Sequence, residues 1–572
     1  MSNNCKETHK MSEFFQAPPK LGNQYDDDRA LRSYLEWKLP QDMLADIKSD
    51  LHQMGERTIT DIYQLGQAAE STSPQHIPYD PWGKRIDEIK VSTGWIELDR
   101  ISAEEKLIAI AYERKHGALS RVYQFAKIYL FHPSSAIYTC PLAMTDGAAR
   151  VIELFGDENL KQRAFVHLTS SDPQQFWTSG QWMTERTGGS DVSGTTTIAK
   201  PDGLQFRLYG DKWFTSATTS QMAMTLARIE GAPEGSKGLS LFYLELRNQD
   251  GVLNGLRINR LKNKLGTHAL PTAELTLNGT TARLVGGPGE GVKKISALFN
   301  ITRIYNAVSA VGYMRRAIAL ARDYATKRKV FGRLLSEHGL HLETLAELQV
   351  EFTAAFHLVF HTIELLGKQE TNVATESELK VLRLLTPLIK LYTAKQAIKV
   401  VSEALEAFGG AGYIEDTALP QLLRNTQVLS IWEGTTNVLS LDALRAIRKE
   451  NAAEYLLQDI EERLIKVNIP ELSLSQEKTA NAVTKLKQYM DSLIKMSDEE
   501  QNIAARHFAF SMVQTYASSL LLEHAQWSLQ RGNDPLPLIT AVRWCARDLT
   551  QLLNPAGAYQ NESRMLALDR LL

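Results

Sequence analysis

Three cysteines in 572 residues, Cys5, Cys140 and Cys545, are too few and too far apart for a disulfide framework or a thiolate metal site. That usage suits a reducing compartment. No uncharged apolar run reaches the ~18 residues a bilayer span needs, so no membrane span is expected. Neither sign of charge dominates: the formal net charge is -2, which gives no whole-chain electrostatic case for nucleic acid or an acidic partner. His-Glu-x-x-His, a Cys cluster and Gly-x-Ser-x-Gly are all missing. Zinc hydrolysis and serine-type acyl transfer therefore lack their residues, and no metal is expected. The first fifteen residues hold no Arg and include Glu7 and Glu13, a poor mitochondrial address, and Arg570-Leu571-Leu572 is not a peroxisomal one. The expectation is a cytoplasmic protein, with a mitochondrial one as the alternative.

What is there is an ordinary globular composition, 43% hydrophobic and 23% charged, long enough for roughly three to four domains. Residues 1–50 are polar with short apolar clusters and read as a loosely structured arm. Residues 51–180 carry a helical period, with Ala148, Val151, Ile152, Leu154 and Phe155 as one example. The stretch Ser71 to Trp82 has three prolines and reads as a connector. From 181 to 290 the pattern becomes short β-rich runs between turn residues, a small antiparallel barrel or sandwich. Asn278-Gly279 fits a tight hairpin turn within it. Long helices return over 291–450, including Leu391 to Phe408 with Gly409 as its stop. Another helical block, 451–572, follows. Helices, then strands, then helices make a segregated α+β fold.

Five stretches could carry chemistry, and a sixth only looks as if it could. Gly286 to Gly291 is glycine-rich, but it follows antiparallel strands and holds a proline, so it reads as a turn and not a dinucleotide fingerprint. Met183 to Val192 sets Gly188 and Gly189 between hydroxyls, able to aim Thr184, Ser190 and backbone N–H groups at a polar ligand edge. Lys212-Trp213-Phe214-Thr215 adds a flat ring beside a hydroxyl. Trp213 with Thr215 and the earlier loop favours a planar heteroaromatic ligand over a simple core role. Arg328 to Arg333 is either helix-end charge compensation or a pyrophosphate site with Phe331 on a base. Gly409-Gly410-Ala411-Gly412 is either a helix stop or a close backbone approach to phosphate. In Ile431-Trp432-Glu433-Gly434-Thr435, a carboxylate between apolar neighbours is either a helix-end residue or a general base whose pKa desolvation would raise.

Taken together, these motifs resemble the acyl-CoA dehydrogenase family of FAD flavoproteins over residues 50–450. The matching stretches are Met183-Thr184-Glu185 with Gly189-Ser190-Asp191-Val192, Lys212-Trp213 with Thr215, Lys327 to Gly332 with Leu335 and His338, Phe408 to Tyr413, and Trp432-Glu433-Gly434-Thr435. The arm and the C-terminal block look most like its AidB-like branch, which includes a bacterial alkylation-response flavoprotein. The resemblance implies a helical domain, a β domain, a four-helix bundle and a helical extension serving subunit contacts in a homotetramer, a dimer of dimers.

It also implies roles. Glu433 would abstract the α proton of a medium- or long-chain fatty acyl-CoA while hydride leaves for FAD. The Glu433 N–H and a ribityl hydroxyl would hold the thioester oxygen. Met183, Thr184, Gly189, Ser190, Trp213 and Thr215 would border the flavin. Arg328, Phe331, Leu335, His338, Glu406, Gly409 and Gly410 would serve the ADP end, some in a neighbouring subunit, with Thr435 and Asn437 beside the cofactor. Ser190, Arg303, Glu433 and Gly434 would meet the substrate. Some members place the base at the position of Thr302, which is no acid here. Glu433 then stands alone, with Arg303 as its charged neighbour. Glu406 and Asn425 depart from the common Gln and Asp, which puts some cofactor hydrogen bonds in question.

The implied electron acceptor is electron-transfer flavoprotein. An acyl-CoA-sequestering flavoprotein with a regulatory role in lipid metabolism is the alternative. A DNA-associated role is disfavoured, since residues 451–572 hold 12 Lys and Arg against 15 Asp and Glu.

Overall fold

The structure is a computed structural model and describes residues 15–570 apart from residue 533. The expected loose arm over 1–50 is largely helical past residue 28. Helix α1 (Arg29–Lys38) starts where the Asp28 carboxylate accepts the Leu31 N–H at 3.0 Å, and it buries Leu31, Tyr34 and Leu35 at helical spacing. Helix α2 (Gln41–Arg57) follows Pro40 and buries Met43, Ile47, Leu51 and Met54. Polar residues on the outward faces of both helices mask this pattern in the sequence. The Pro-rich connector likewise contains a hairpin, β1 (Gln75–Tyr79) with β2 (Arg85–Lys90), whose tip carries Trp82 and the left-handed Gly83. Helix Asp61–Ser71 precedes the hairpin, and α3 (Thr93–Glu104), α4 (Ser120–Phe131) and α5 (Thr139–Phe155) are the longer helices that follow it.

Strands β3 (Ser179–Trp182), β4 (Ile198–Asp202), β5 (Gln205–Ser216), β6 (Met222–Ile229), β7 (Leu239–Glu245), β8 (Leu256–Leu261) and β9 (Thr272–Leu284) form one seven-stranded sheet. Pairing runs β6–β4–β5–β9–β7 and back to β6, so the sheet closes on itself. Closure leaves β3 and β8 as added strands on β6 and β9. Pairing is mostly antiparallel, and β6 takes β3 and β4 in parallel. Trp182, Leu208, Phe242, Leu244, Leu275 and Leu277 fill the interior. Asn278-Gly279 is not a hairpin turn. It lies inside β9, where Gly279 at φ +78° accompanies a register shift opposite Leu208 and Tyr209, and the Asn278 N–H bonds Gly255 O. The dipeptide serves a bulge here because the chain on both sides continues as strand.

Helices α6 (Gly291–Ala325), α7 (Gly339–Glu370) and α8 (Glu376–Glu406) run through the bundle, joined by α9 (Leu419–Gln427) and α10 (Thr436–Glu450). The turn before α6 is tied by Lys294, whose Nζ donates to Gly287 O at 2.7 Å and Gly289 O at 3.1 Å, so those carbonyls are spent internally. Five further helices, α11 (Ala452–Lys466), α12 (Ser473–Leu493), α13 (Asp498–Gly532), α14 (Leu536–Cys545) and α15 (Tyr559–Leu568), form the extension. The extension lies on the bundle of its own chain: Arg543 pairs with Glu343, and Arg547 with Glu347 and Glu351 on α7. Ser33 of α1 meets His524 of α13 at 2.9 Å, so arm, bundle and extension share one seam.

Candidate active site

Glu433 lies in the turn between α9 and α10 and is left-handed at φ +57°, followed by Gly434 at φ +103°. For a residue with a Cβ that conformation costs about 1–2 kcal/mol, so neighbours must hold it. Two lie one helical turn apart on α6. The Thr302 hydroxyl donates to Glu433 Oε2 at 2.6 Å, and Asn306 accepts the Trp432 indole N–H. The third is on α8, where Lys390 Nζ donates to Trp432 O and Gly434 O, both at 2.6 Å. Gln181 of β3 approaches the same carboxylate oxygen at 3.5 Å. Glu433 is half-buried.

Two other titratable groups sit close by. Burial pushes the Lys390 ammonium down to about 7, opposed by the charge of Glu433 and assisted by that of Arg303. Burial pushes the Cys140 thiol up to about 12, partly against Lys264, so it is a poor nucleophile. Arg303 is turned to Asp442 at 2.8 Å, which also pairs with Arg383, so the cation bonded to the Glu433 turn is Lys390.

The remaining expected site residues fall into two groups. In the first, the Trp213 N–H donates to Thr184 O at 2.8 Å, which joins the two flavin-type segments. A register shift between Lys212 and Thr215 and φ +54° at Phe214 break the strand there and leave the Trp213 ring half-buried. Lys262 Nζ lies 3.6 Å from the ring centre and the Arg186 guanidinium 5.2 Å. Thr215 is buried and donates to Ala273 O at 2.8 Å. Met183 is buried, Ser190 is exposed, and a Cβ on Gly189 would meet the Thr184 hydroxyl at 2.4 Å. Glu185 turns inward to Lys212, Thr196 and Thr197.

The second group lies beyond the end of α6. Residues 329–334 form a hairpin of β10 (Lys329–Val330) and β11 (Arg333–Leu334), with Phe331 and Gly332 both left-handed at its tip. Phe331 is 96% exposed, with the His338 ring 6.4 Å away. The Arg328 carbonyl accepts the Leu335 N–H, and its guanidinium reaches Gln16 Oε1 at 3.3 Å. Glu406, Gly409 and Gly410 are exposed, with open space where side chains on the two glycines would stand. Thr435 is exposed at the start of α10, and Asn437 accepts from Arg506 of the extension at 3.3 Å. One departure from the family pattern is absorbed locally: buried Asn425 accepts the Thr267 N–H at 2.6 Å.

Comparison with known proteins decides the family. Residues 180–280 and 289–447 match the middle and C-terminal domain models of acyl-CoA dehydrogenase. Residues 16–172 match the N-terminal domain of adaptive response protein AidB, and 451–572 the C-terminal domain of acyl-CoA dehydrogenase 11. Acyl-CoA dehydrogenase family member 11 of Caenorhabditis elegans is 44% identical over 94% of this chain and 89% of its own length. The chain belongs to the acyl-CoA dehydrogenase family.

Members of that family are FAD-dependent oxidoreductases acting on CH–CH groups, and this chain is one with AidB-like features. Escherichia coli AidB is 32% identical over 69% of the chain and 73% of its own length. The crystal structure of Caenorhabditis elegans ACDH-11 in complex with C11-CoA superposes with a TM-score of 0.95 at 42% identity, covering 98% of this chain and 97% of that one. The geometry suits the family's cofactor. Trp213 offers a half-exposed ring flanked by cations, and the open glycine turn and exposed Phe331 suit a flat anionic dinucleotide.

Gln181, Asn306 and Lys390 escape sequence reasoning as site residues, and Thr302 enters it only as a position without an acid. Of the first three, only Lys390 leaves a signal there, as a lone cation in the apolar run Leu384 to Leu391. A cavity of about 830 Å³ lined by Trp177, Trp182 and Arg247 lies between the β1–β2 hairpin and the sheet. It touches neither Glu433 nor Trp213, because Trp182 and Gln181 point to opposite faces of β3.

Proposed function

We propose that this chain dehydrogenates a medium- or long-chain fatty acyl-CoA at its α,β bond, with Glu433 as the base that takes the α proton. The observation that carries the reading is the Glu433 carboxylate, fixed by Thr302 at 2.6 Å in a left-handed turn beside the flavin-type loop of β3. When bound, FAD supplies the hydride acceptor. Met183, Thr184, Gly189, Ser190, Trp213 and Thr215 would hold its ring. Arg328, Phe331, Leu335, His338, Glu406, Gly409 and Gly410 would hold its ADP end, with Thr435 and Asn437 between.

The chain's own residues do the rest. Thr302 holds one carboxylate oxygen of Glu433, which leaves the other to receive the proton. The Glu433 N–H donates to the thioester oxygen as negative charge gathers there, a fixed donor aimed where charge develops. Ser190, Arg303 and Gly434 line the acyl-CoA path.

Exposed Phe331 and the open glycine turn support cofactor sites completed by a second copy, hence a homotetramer built as a dimer of dimers, with electron-transfer flavoprotein as acceptor. The ACDH-11 complex with C11-CoA supports the ligand class. It equally favours a second reading, an acyl-CoA-sequestering flavoprotein with a regulatory role in lipid metabolism.

Anaerobic titration of the yellow protein with acyl-CoAs from butyryl to palmitoyl tests the first reading. The flavin band should bleach with medium or long chains. Failure to bleach with any chain length contradicts dehydrogenation. Bleaching without steady-state turnover on electron-transfer flavoprotein selects sequestration.

A further inference from the structure

Lys390 occupies the middle of α8 among Leu388, Ile389, Leu391 and Tyr392, all buried, and is itself closed off from solvent. An ammonium there forfeits its hydration, a large cost unless its protons are well used. A methionine of similar length would pack against these neighbours at no such cost. Neither bond of Lys390 goes to a carboxylate. Both go to the carbonyls on either side of the base, Trp432 O and Gly434 O, at 2.6 Å each.

The peptide between Trp432 and Glu433 is trans, since the described residues hold no cis bond, so its C=O and N–H point in opposite directions. Drawing the Trp432 carbonyl towards α8 therefore turns the Glu433 N–H away from α8. The hydrogen bond accepted by that carbonyl also polarises the peptide and makes its N–H a stronger donor. Gripping the second carbonyl at Gly434 fixes the turn at both ends of a residue held at φ +57°.

We infer that Lys390 is a positioning residue for the base, clamping the Trp432 and Gly434 carbonyls so that the Glu433 N–H and carboxylate are presented together. This rests on Glu433 acting as proposed above. The charged groups facing the ammonium are Glu433 and Arg303, and the Coulomb pull of Glu433 offsets part of the burial that draws Lys390 down to about 7.

The test compares K390M and K390Q with the unaltered protein, all loaded with flavin. Two quantities are read: amide hydrogen exchange of the peptide spanning 431–435, and acyl-CoA affinity set against the anaerobic reduction rate. K390M should bind flavin and acyl-CoA nearly as before, exchange faster in that peptide alone, and reduce about 100-fold more slowly. K390Q, which keeps an amide donor, should recover part of both effects. Unchanged exchange and rate in K390M would overturn the inference. So would failure of both variants to fold, since Lys390 would then serve the bundle and not the base. If the unaltered protein does not bleach, the dehydrogenase reading fails, while the exchange comparison still decides whether Lys390 holds the turn.

Discussion

At the scale of single residues, Glu433 was legible as a candidate base only through the family resemblance, since its own stretch reads equally as a helix end. Its partners were not, because Thr302, Gln181 and Lys390 lie 131, 252 and 43 positions away in the chain. Thr302 stands in the sequence only as a position lacking an acid, yet it orients the acid that is present. Its single hydroxyl proton has a second acceptor, Phe299 O at 3.1 Å, and the charged, shorter bond to Glu433 wins. A hydrogen bond to a charged group contributes about 1.5–3 kcal/mol, so T302V should slow anaerobic flavin reduction roughly tenfold or more without loss of flavin. Stopped-flow absorbance checks this, and an unchanged rate would mean Thr302 plays no part in orienting the base.

At the scale of elements, long helices were readable from their period, whereas short strands and turns were decided by neighbours. The β1–β2 hairpin hid behind Pro74, Pro78 and Pro81, and Asn278-Gly279 made a bulge because β5 and β9 pair on both sides of it. The packing of α4, α5 and α7 hangs on buried Arg121, which meets Asp146 at 2.7 Å and Glu370 at 2.6 Å. These acids hold the guanidinium charged despite its burial. Removing one partner of such a set leaves a buried charge without its match, typically a loss of about 3–5 kcal/mol. E370Q should lower stability by that order in denaturant unfolding, although it lies outside the active site. A change within about 0.5 kcal/mol would show that the set is replaceable.

At the scale of the whole molecule, the order helices, strands, helices was visible in the sequence, but the seam joining arm, bundle and extension was not. Its residues are spread over three segments, and it contains His357 and His524, 4.5 Å apart between ring centres. Burial draws His524 down to about 4 and His357 well below 6.5, and both nitrogens of His357 are buried without partners. The folded value lies below the unfolded one for each. Below about pH 6.5 the unfolded chain therefore binds protons that the folded chain refuses, and stability falls as pH falls towards 4. The slope is about 1.4 kcal/mol per pH unit for each such histidine. Melting temperatures between neutral and mildly acidic pH should show this loss, and H357F should flatten it. An equal slope in H357F would place the acid sensitivity elsewhere. Light scattering should give the mass of four 64.1 kDa chains, and a monomer would remove the second copy that the exposed Phe331 is proposed to serve.

Removal of the α proton by Glu433 is read out by anaerobic stopped-flow reduction of E433Q and unaltered protein with α-deuterated and ordinary medium-chain acyl-CoA. The unaltered protein should slow on deuteration. E433Q should keep its colour and its acyl-CoA binding while losing about a thousandfold or more in reduction rate. Reduction of E433Q at the unaltered rate, with the same isotope effect, would show that another group removes the proton.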